Sequence, residues 1–418
     1  MTALHIRGAC PRLAEPMQTG DGLLARIVTA GQIPIDALAG LCAAAEEYGN
    51  GVMEISARGG LQVRGLTSVS APMFASAVAT LDIELCDGMP VISGPLPGGP
   101  TALIDADALA ASLRYVIAER GLTLAPKVSV VIDGGGRLHL DALAADLRLR
   151  AIATAHGPKL HVSLAGDTAS ATPLGILAPD YAVEVATHIL ALLASRGPTA
   201  RAADLLQSDG IGIFCKTVGN RMARATPLPM RPRAEPIGLH KLSGKGCAIG
   251  VALAFGQASA ADLLAFAGVA RANGTTWARP APDRTLLLGP IDEMTGFVLA
   301  TAADDLGFVV DARDPRRRIV ACPGAPRCAS GLIETRALAV ELAEHLPLAG
   351  DGIAVHVSGC AKGCAHPMPA PLTIVGISQG CGIVRNGTAR ATPQRYINPA
   401  DLISAVRCPS QPREMVDA

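Results

Sequence analysis

The stretch Val357-Ser358-Gly359-Cys360-Ala361-Lys362-Gly363-Cys364-Ala365-His366 carries a C-x3-C pair. Upstream of it, Ala321-Cys322-Pro323-Gly324-Ala325-Pro326-Arg327-Cys328 carries a C-x5-C pair. Four thiolates brought together supply what an iron–sulfur cube needs, one external sulfur for each iron. Structural zinc is the competing reading, but zinc pairs are usually spaced C-x2-C to C-x4-C. A disulfide would need an oxidising compartment, for which the sequence offers no sign. Gly324, Gly359 and Gly363 let backbone N–H groups come close to the sulfurs. Gly331 to Leu346 has the periodicity of an amphipathic helix whose positive N-terminal end would face an anionic cluster. Ile353 to Val357 is an apolar, strand-like run that would deliver Cys360 from a strand end, a place where rigid scaffolds carry sites.

Working outward, a chain of 418 residues has room for two to four domains and a large core. Lys plus Arg and Asp plus Glu are both 36, so no basic field exists for nucleic acid or an acidic membrane surface. Aromatics make up 3%, too few for base-stacking platforms. Met1 to Arg12 has no apolar run and does not read as a secretory signal. Cys247 to Ala270 is the most span-like segment, but Gly256-Gln257 divides it, so a strand, a turn and a buried helix are expected. A soluble, cytoplasmic protein follows as the expectation. The remaining cysteines, Cys10, Cys42, Cys86, Cys215, Cys247, Cys381 and Cys408, are isolated and read as small buried hydrophobes.

The chain repeats itself. Leu23 to Gly65 and Ala248 to Gly289 share one plan: strand, turn at Gly31-Gln32 or Gly256-Gln257, helix, second strand. The helices are expected over Ile35 to Tyr48 and Ala260 to Asn273, and a constant offset of 225 residues aligns Gly31 with Gly256 and Gly49 with Gly274. At that offset Arg58 faces Asp283, so the copies have diverged there. Between them, helices are expected over Ala106 to Glu119 and Tyr181 to Arg196, and strands over Lys127 to Ile132 and Leu160 to Leu164. Thr226 to Pro236, with four prolines and two arginines, reads as a linker, and Met294 to Leu306 as a further helix. The expected α+β layout is a half-domain at 9–70, an α/β domain at 85–225, a linker at 226–236, a second half-domain at 237–292 and a cluster-bearing α/β domain at 293–408.

The C-x5-C followed by Ser-Gly-Cys-x3-Cys resembles the sirohaem sulfite and nitrite reductases. The duplicated ferredoxin-like half-domains agree, and Ser56-Ala57-Arg58 is similar to a Thr-Thr-Arg strand entry of that family. The resemblance runs from Ala9 to Ala405. It implies that Cys322, Cys328, Cys360 and Cys364 hold a 4Fe–4S cluster, and two such half-domains with two α/β domains in pseudo-twofold arrangement. The anion cage of those reductases is incomplete here: Arg58 and Lys127 match, Ser129 stands where a lysine would, and Cys86 to Ile92 lacks an Arg-Asn pair. Losing about two of four cations weakens capture of a doubly charged anion, each close pair being worth on the order of 1 kcal/mol or more.

Gly20-Asp21-Gly22-Leu23-Leu24, Ser93-Gly94-Pro95-Leu96 and Val357 to Pro367 resemble one branch of that superfamily, precorrin-3B synthase. That resemblance implies an O2- and NADH-dependent monooxygenase that hydroxylates precorrin-3A and closes a lactone from a ring acetate. It also implies a non-haem iron, whose ligands the sequence does not reveal, His366 being better placed than His356. A sirohaem-dependent reductase is the alternative activity, and an iron–sulfur electron carrier a third. Arg58, Arg64, Lys127 and Lys362 are the candidates for holding substrate carboxylates, for which the arginine fork is suited. Each can equally be a solvated surface charge, and Lys362 can instead tune the cluster. Neither dinucleotide nor phosphate-loop motifs occur, and Lys241 to Gly246 has the wrong spacing, so electrons would come through a separate reductase or by direct contact with NADH.

Overall fold

The computed structural model describes residues 11–86, 88–96, 99–244, 246–345 and 352–407. Ala9, Cys10, Asp87, Lys245, Leu346 and Cys408, which figured in the reading above, lie outside the described residues. Four five-stranded sheets make up the β structure of the described residues, two in the half-domains and two in the α/β regions.

The first half-domain sheet runs Met17–Thr19, Gly22–Ile27, Leu61–Leu66, Val52–Ile55. The second runs Gly238–Lys241, Cys247–Ala252, Thr285–Ile291, Trp277–Ala281. Each takes its fifth, edge strand from the other copy. Gln257–Ser259 pairs antiparallel with Val52 to Glu54, and Ile33–Pro34 pairs with Trp277 and Ala278. Edge strands that would expose unpaired N–H and C=O groups are thereby closed by exchange. The helices Ile35–Tyr48 and Ala260–Ala272 pack against each other, and Leu38, Leu41, Phe74, Leu263 and Phe266 join one core across both copies. Ser259 starts the second helix by accepting the Asp262 N–H at 2.9 Å.

The two α/β sheets have the same order. One runs Val91–Ser93, Val130–Asp133, Ala145–Thr154, Gly157–Gly166, Thr172–Leu177. The other runs Ile319–Ala321, Val355–Ser358, Ala370–Ile377, Gly380–Gly387, Arg395–Ile397. In both, the first three strands are parallel and the last two antiparallel. The second strands, at Val130 and Val355, keep the offset of 225. Helices Ala106–Glu119 and Ala182–Ser195 cover the first sheet and Thr335–His345 the second.

Most expected elements form within a few residues of their reading, the helix Ala106–Glu119 at the residues expected. Cys247–Ala252 is a strand and Ala260–Ala272 a helix, and among the described residues no helix is long and apolar enough to cross a membrane. The helix expected from Gly331 starts instead at Thr335, because residues 331–333 bond into the cysteine loops. The segment expected as a linker is pinned: Thr226 O accepts from His161 at 2.9 Å, Pro229 O from Arg150 at 3.0 Å, and Arg231 pairs with Asp133 and Asp141. Of the isolated cysteines, Cys42, Cys247 and Cys381 are buried as expected. Cys86 is half-buried and Cys215 is exposed, so those two are not core residues.

Candidate active site

Cys322 and Cys360 leave neighbouring parallel strands, Ala321 being paired with Val357, so strand register alone brings the two cysteine loops together. Cys322 N donates to Val357 O at 3.2 Å, and Gly359 N donates to Cys322 Sγ at 3.1 Å. Leu332 N bonds Gly359 O at 2.8 Å, Ala325 N bonds Ile333 O at 2.8 Å, and the Thr335 hydroxyl donates to Cys322 O. Gly324 sits at φ +62°, and a Cβ on Gly359 would lie 3.1 Å from Gly324 Cα and 3.5 Å from Cys322 Sγ. The loops therefore close only without side chains at these points. Gly20, in the N-terminal hairpin, seals the other flank, where a side chain would run into the backbone of Cys328 and Ala329.

Exposure is graded from buried Cys322 through half-buried Cys328 and Cys360 to exposed Cys364. Burial raises the Cys364 pKa, and the thiolates of Cys322, Cys360 and Cys328 raise it further against the opposing pull of Lys362. The two loops that carry the four cysteines are bonded to each other through Gly359 N to Cys322 Sγ, Leu332 N to Gly359 O and Lys362 Nζ to Ser330 Oγ. Among the described residues no three of the four sulfurs lie within 4.8 Å of one another. A tetrahedral zinc with Zn–S of about 2.3 Å would need sulfurs about 3.8 Å apart, whereas a cube binds each sulfur through a different iron and spreads them. The N–H donor to sulfur, the glycine-lined cradle and the spread thiols all fit an iron–sulfur cluster.

Beside Cys364 opens a cavity of about 530 Å3, walled by both halves: Leu138 to Leu143, Arg231 and Arg233, the hairpin tip Pro282 to Arg284, and Ala365 with His366. Two smaller cavities, about 150 and 330 Å3, share the Arg26 strand, and Arg58 lines the first of them. Arg58 donates to Ala144 O at 2.8 Å and to Ser129 Oγ at 3.4 Å, so the serine at the lysine position is within its reach. Its turn meets the equivalent hairpin of the other copy, with Asp283 N bonding Ala57 O at 3.1 Å. Lys127 is exposed. Lys362 is exposed and donates to Ser330 Oγ at 2.7 Å, tying the second cysteine loop to the first.

Arg64 is placed differently from its reading as a substrate ligand. It is 3% exposed and forks onto Asp21 at 2.7 and 3.0 Å, with Glu54 at 3.5 Å. Two of the chain's own carboxylates take up its donors, and it fastens the Gly20 hairpin beneath the first cysteine loop. His356 is fully buried and neither ring nitrogen has a hydrogen-bond partner, so it is a core histidine but an unsatisfied one. His366 packs edge-on against it at 5.7 Å between centroids. Burial, reinforced by His366, lowers the His356 pKa to about 4 and keeps it neutral.

Several residues escaped the sequence reading. Arg284 follows Asp283 in a turn where both have positive φ, 65° and 63°. Its carbonyl accepts from Leu253 N at 2.9 Å, while its guanidinium lines the large cavity and makes no hydrogen bond or ion pair with the described residues. The signal was adjacent, since Asp283 is the residue that the repeat aligns with Arg58. Arg26 has a buried Nε without a partner. Asp133, His139 and Asp141 present ligand atoms within 4.8 Å of one another, but Arg231 bonds both carboxylates and Arg150 approaches Asp141 at 3.5 Å. Burial opposes ionisation of Asp141, yet the Arg231 bonds hold its carboxyl far below the usual range. That trio is a saturated ion-pair network, not a vacant set of metal ligands.

A family model described as nitrite/sulfite reductase ferredoxin-like half domain matches residues 15–78. A precorrin-3B synthase from Sinorhizobium sp is 40% identical over 406 residues, covering 96% of this chain and 87% of the relative. Sulfite reductase (ferredoxin) 1 of Mycolicibacterium paratuberculosis is 28% identical over 158 residues, 36% of this chain and 28% of its own. The structure of the Mycobacterium tuberculosis NirA protein superposes with a TM-score of 0.74 at 20% identity, covering 92% of this chain and 79% of that one. At that identity the likeness is one of fold.

Proposed function

Because the chain belongs to the precorrin-3B synthase family, within the sulfite and nitrite reductase superfamily, we propose that it is the oxygenase that converts precorrin-3A to precorrin-3B. One atom of O2 enters the ring as hydroxyl, the other leaves as water, and NADH supplies the two electrons, directly or through a separate reductase. A ring acetate then closes the lactone. The observation that carries this reading is the meeting of the two cysteine-bearing loops beside a cavity walled by both halves.

Cys322, Cys328, Cys360 and Cys364 would hold the 4Fe–4S cluster, which when bound supplies one-electron transfer at the cavity edge. The chain's own task is to hold a polycarboxylate macrocycle against that edge. Arg284, unpaired in the wall, and Arg58, at the equivalent turn, are suited to its acetates and propionates through forked bonds. Lys127 and Lys362 would add point charges at the rim, whereas Arg64 is withdrawn from this role by its burial against Asp21 and Glu54. At about 530 Å3 the cavity is within the range of about 300–1,000 Å3 common for small-molecule sites. A second iron finds no preformed set of ligands among the described residues, the one candidate trio being occupied by Arg231, so no step is assigned to it.

The test is the visible spectrum of protein purified without air. Broad iron–sulfur absorption alone, followed by conversion of added precorrin-3A under O2 and NADH with a reductase, is the expected result. Sharp sirohaem bands with sulfite or nitrite turnover would overturn the oxygenase reading in favour of a reductase.

A further inference from the structure

The two halves are fastened by a cross-half ion pair that occurs twice with its polarity reversed. In the first half-domain Glu54 accepts from Arg336 at 3.1 Å, Arg336 being the second residue of the helix Thr335–His345. At the offset of 225, Glu54 corresponds to Arg279, which donates to Asp107 at 2.7 and 2.8 Å. Asp107 is the second residue of the helix Ala106–Glu119. The helix dipole favours an anion in the first turn, as Asp107 is, so adhesion between halves does not explain the cation at Arg336.

What differs is the neighbour. Next to Arg336, Thr335 bonds the carbonyl of Cys322, and the guanidinium is held by Phe255 O at 3.1 Å. Its side chain is 19% exposed, and its Nε is buried without a partner. Burial pushes its pKa down to about 10, while Glu54 and the Cys322 thiolate pull it up, so the cation persists at neutral pH one residue from the Thr335 that bonds Cys322 O. In the other half the corresponding helix position meets Ser93, and no cysteine pair is present. A carboxylate at position 336 would instead stand against the thiolates.

We propose that Arg336 is a positioning residue that sets the reduction potential of the cluster held by Cys322, its fixed cation favouring the reduced, more negative state. Glu54 is its counterweight, anchoring the guanidinium and partly offsetting it. The inference rests on the cluster reading above and extends it to the surrounding charges.

An EPR-monitored redox titration of the anaerobically purified holoprotein tests it, with iron and sulfide content measured on each sample. R336Q is expected to move the midpoint negative, with the reduced-to-oxidised ratio at a fixed potential falling on the order of tenfold, about 59 mV for one electron. E54Q is expected to move it in the positive direction, and R336K to stay near wild type. R279Q loosens the twin contact and is expected to leave the potential unchanged. Opposite signs for R336Q and E54Q cannot arise from a general loosening. An unmoved or negative midpoint in E54Q overturns the proposal even if R336Q fails to retain iron, and so does an equal shift in R279Q. Wild-type protein without iron and sulfide would instead sink the cluster reading itself.

Discussion

The two α/β sheets are built to one plan and put different chemistry at the same strand ends. In the first half, Ser93 and Asp133 finish the parallel strands and are bonded by Arg279 and Arg231. In the second, the corresponding ends run into Cys322 and into Ser358-Gly359-Cys360, where a backbone N–H reaches a sulfur instead. The scaffold fixes only where a loop begins. Whether that loop makes an ion pair or presents a cysteine depends on a few side chains and on glycines that let the chains close up.

The comparison can be broken most severely at the cysteines. C364S is expected to abolish the iron–sulfur absorption and the oxygenase activity together, whereas S93A at the twin strand end leaves the iron content intact. Metal analysis with the visible spectrum checks both. Full turnover by C364S lacking iron would remove the cluster from the mechanism.

Next in size is the buried Arg64. R64M leaves Asp21 and Glu54 without their shared cation, and breaking such a pair costs about 3–5 kcal/mol. Thermal unfolding is expected to show this loss, and a variant with wild-type stability but a raised KM would return Arg64 to substrate binding.

His356 offers a sharper contrast, since the offset of 225 places Val131 at the twin position. Its folded pKa of about 4 lies below its unfolded value, so the unfolded chain binds the proton more readily. Stability is therefore retained above about pH 6.5 and falls as pH drops toward 4. H356V is expected to remove that loss, amounting to roughly 3 kcal/mol at pH 4. Denaturant titrations at pH 7 and pH 4.5 measure it, and an unchanged pH dependence would refute the assignment.

The smallest expected effect lies at the two facing turns. R284Q is expected to weaken binding of a polycarboxylate tetrapyrrole about tenfold, the worth of one charged hydrogen bond at the low end of its range. Fluorescence quenching would report this, and wild-type affinity in R284Q with loss in R58Q would move the anchor to the other cavity.

The sequence by itself determined what local chemistry determines. Thiol spacing, apolar periodicity and the repeated Gly31 and Gly49 positions were enough to single out the four cysteines, the duplication and helices such as Ala106–Glu119. Each signal lies within a few dozen residues or repeats at a constant offset. Only the tertiary structure decided the exchanged edge strands, the inward turn of Arg64, the unpaired guanidinium of Arg284 and the placing of Arg336 against Glu54. Those outcomes depend on partners far apart in the chain: Glu54 and Arg336 are separated by 282 residues. A charge becomes a ligand, a strut or a tuning element according to what folding sets against it. Periodicity and spacing carry no record of that partner.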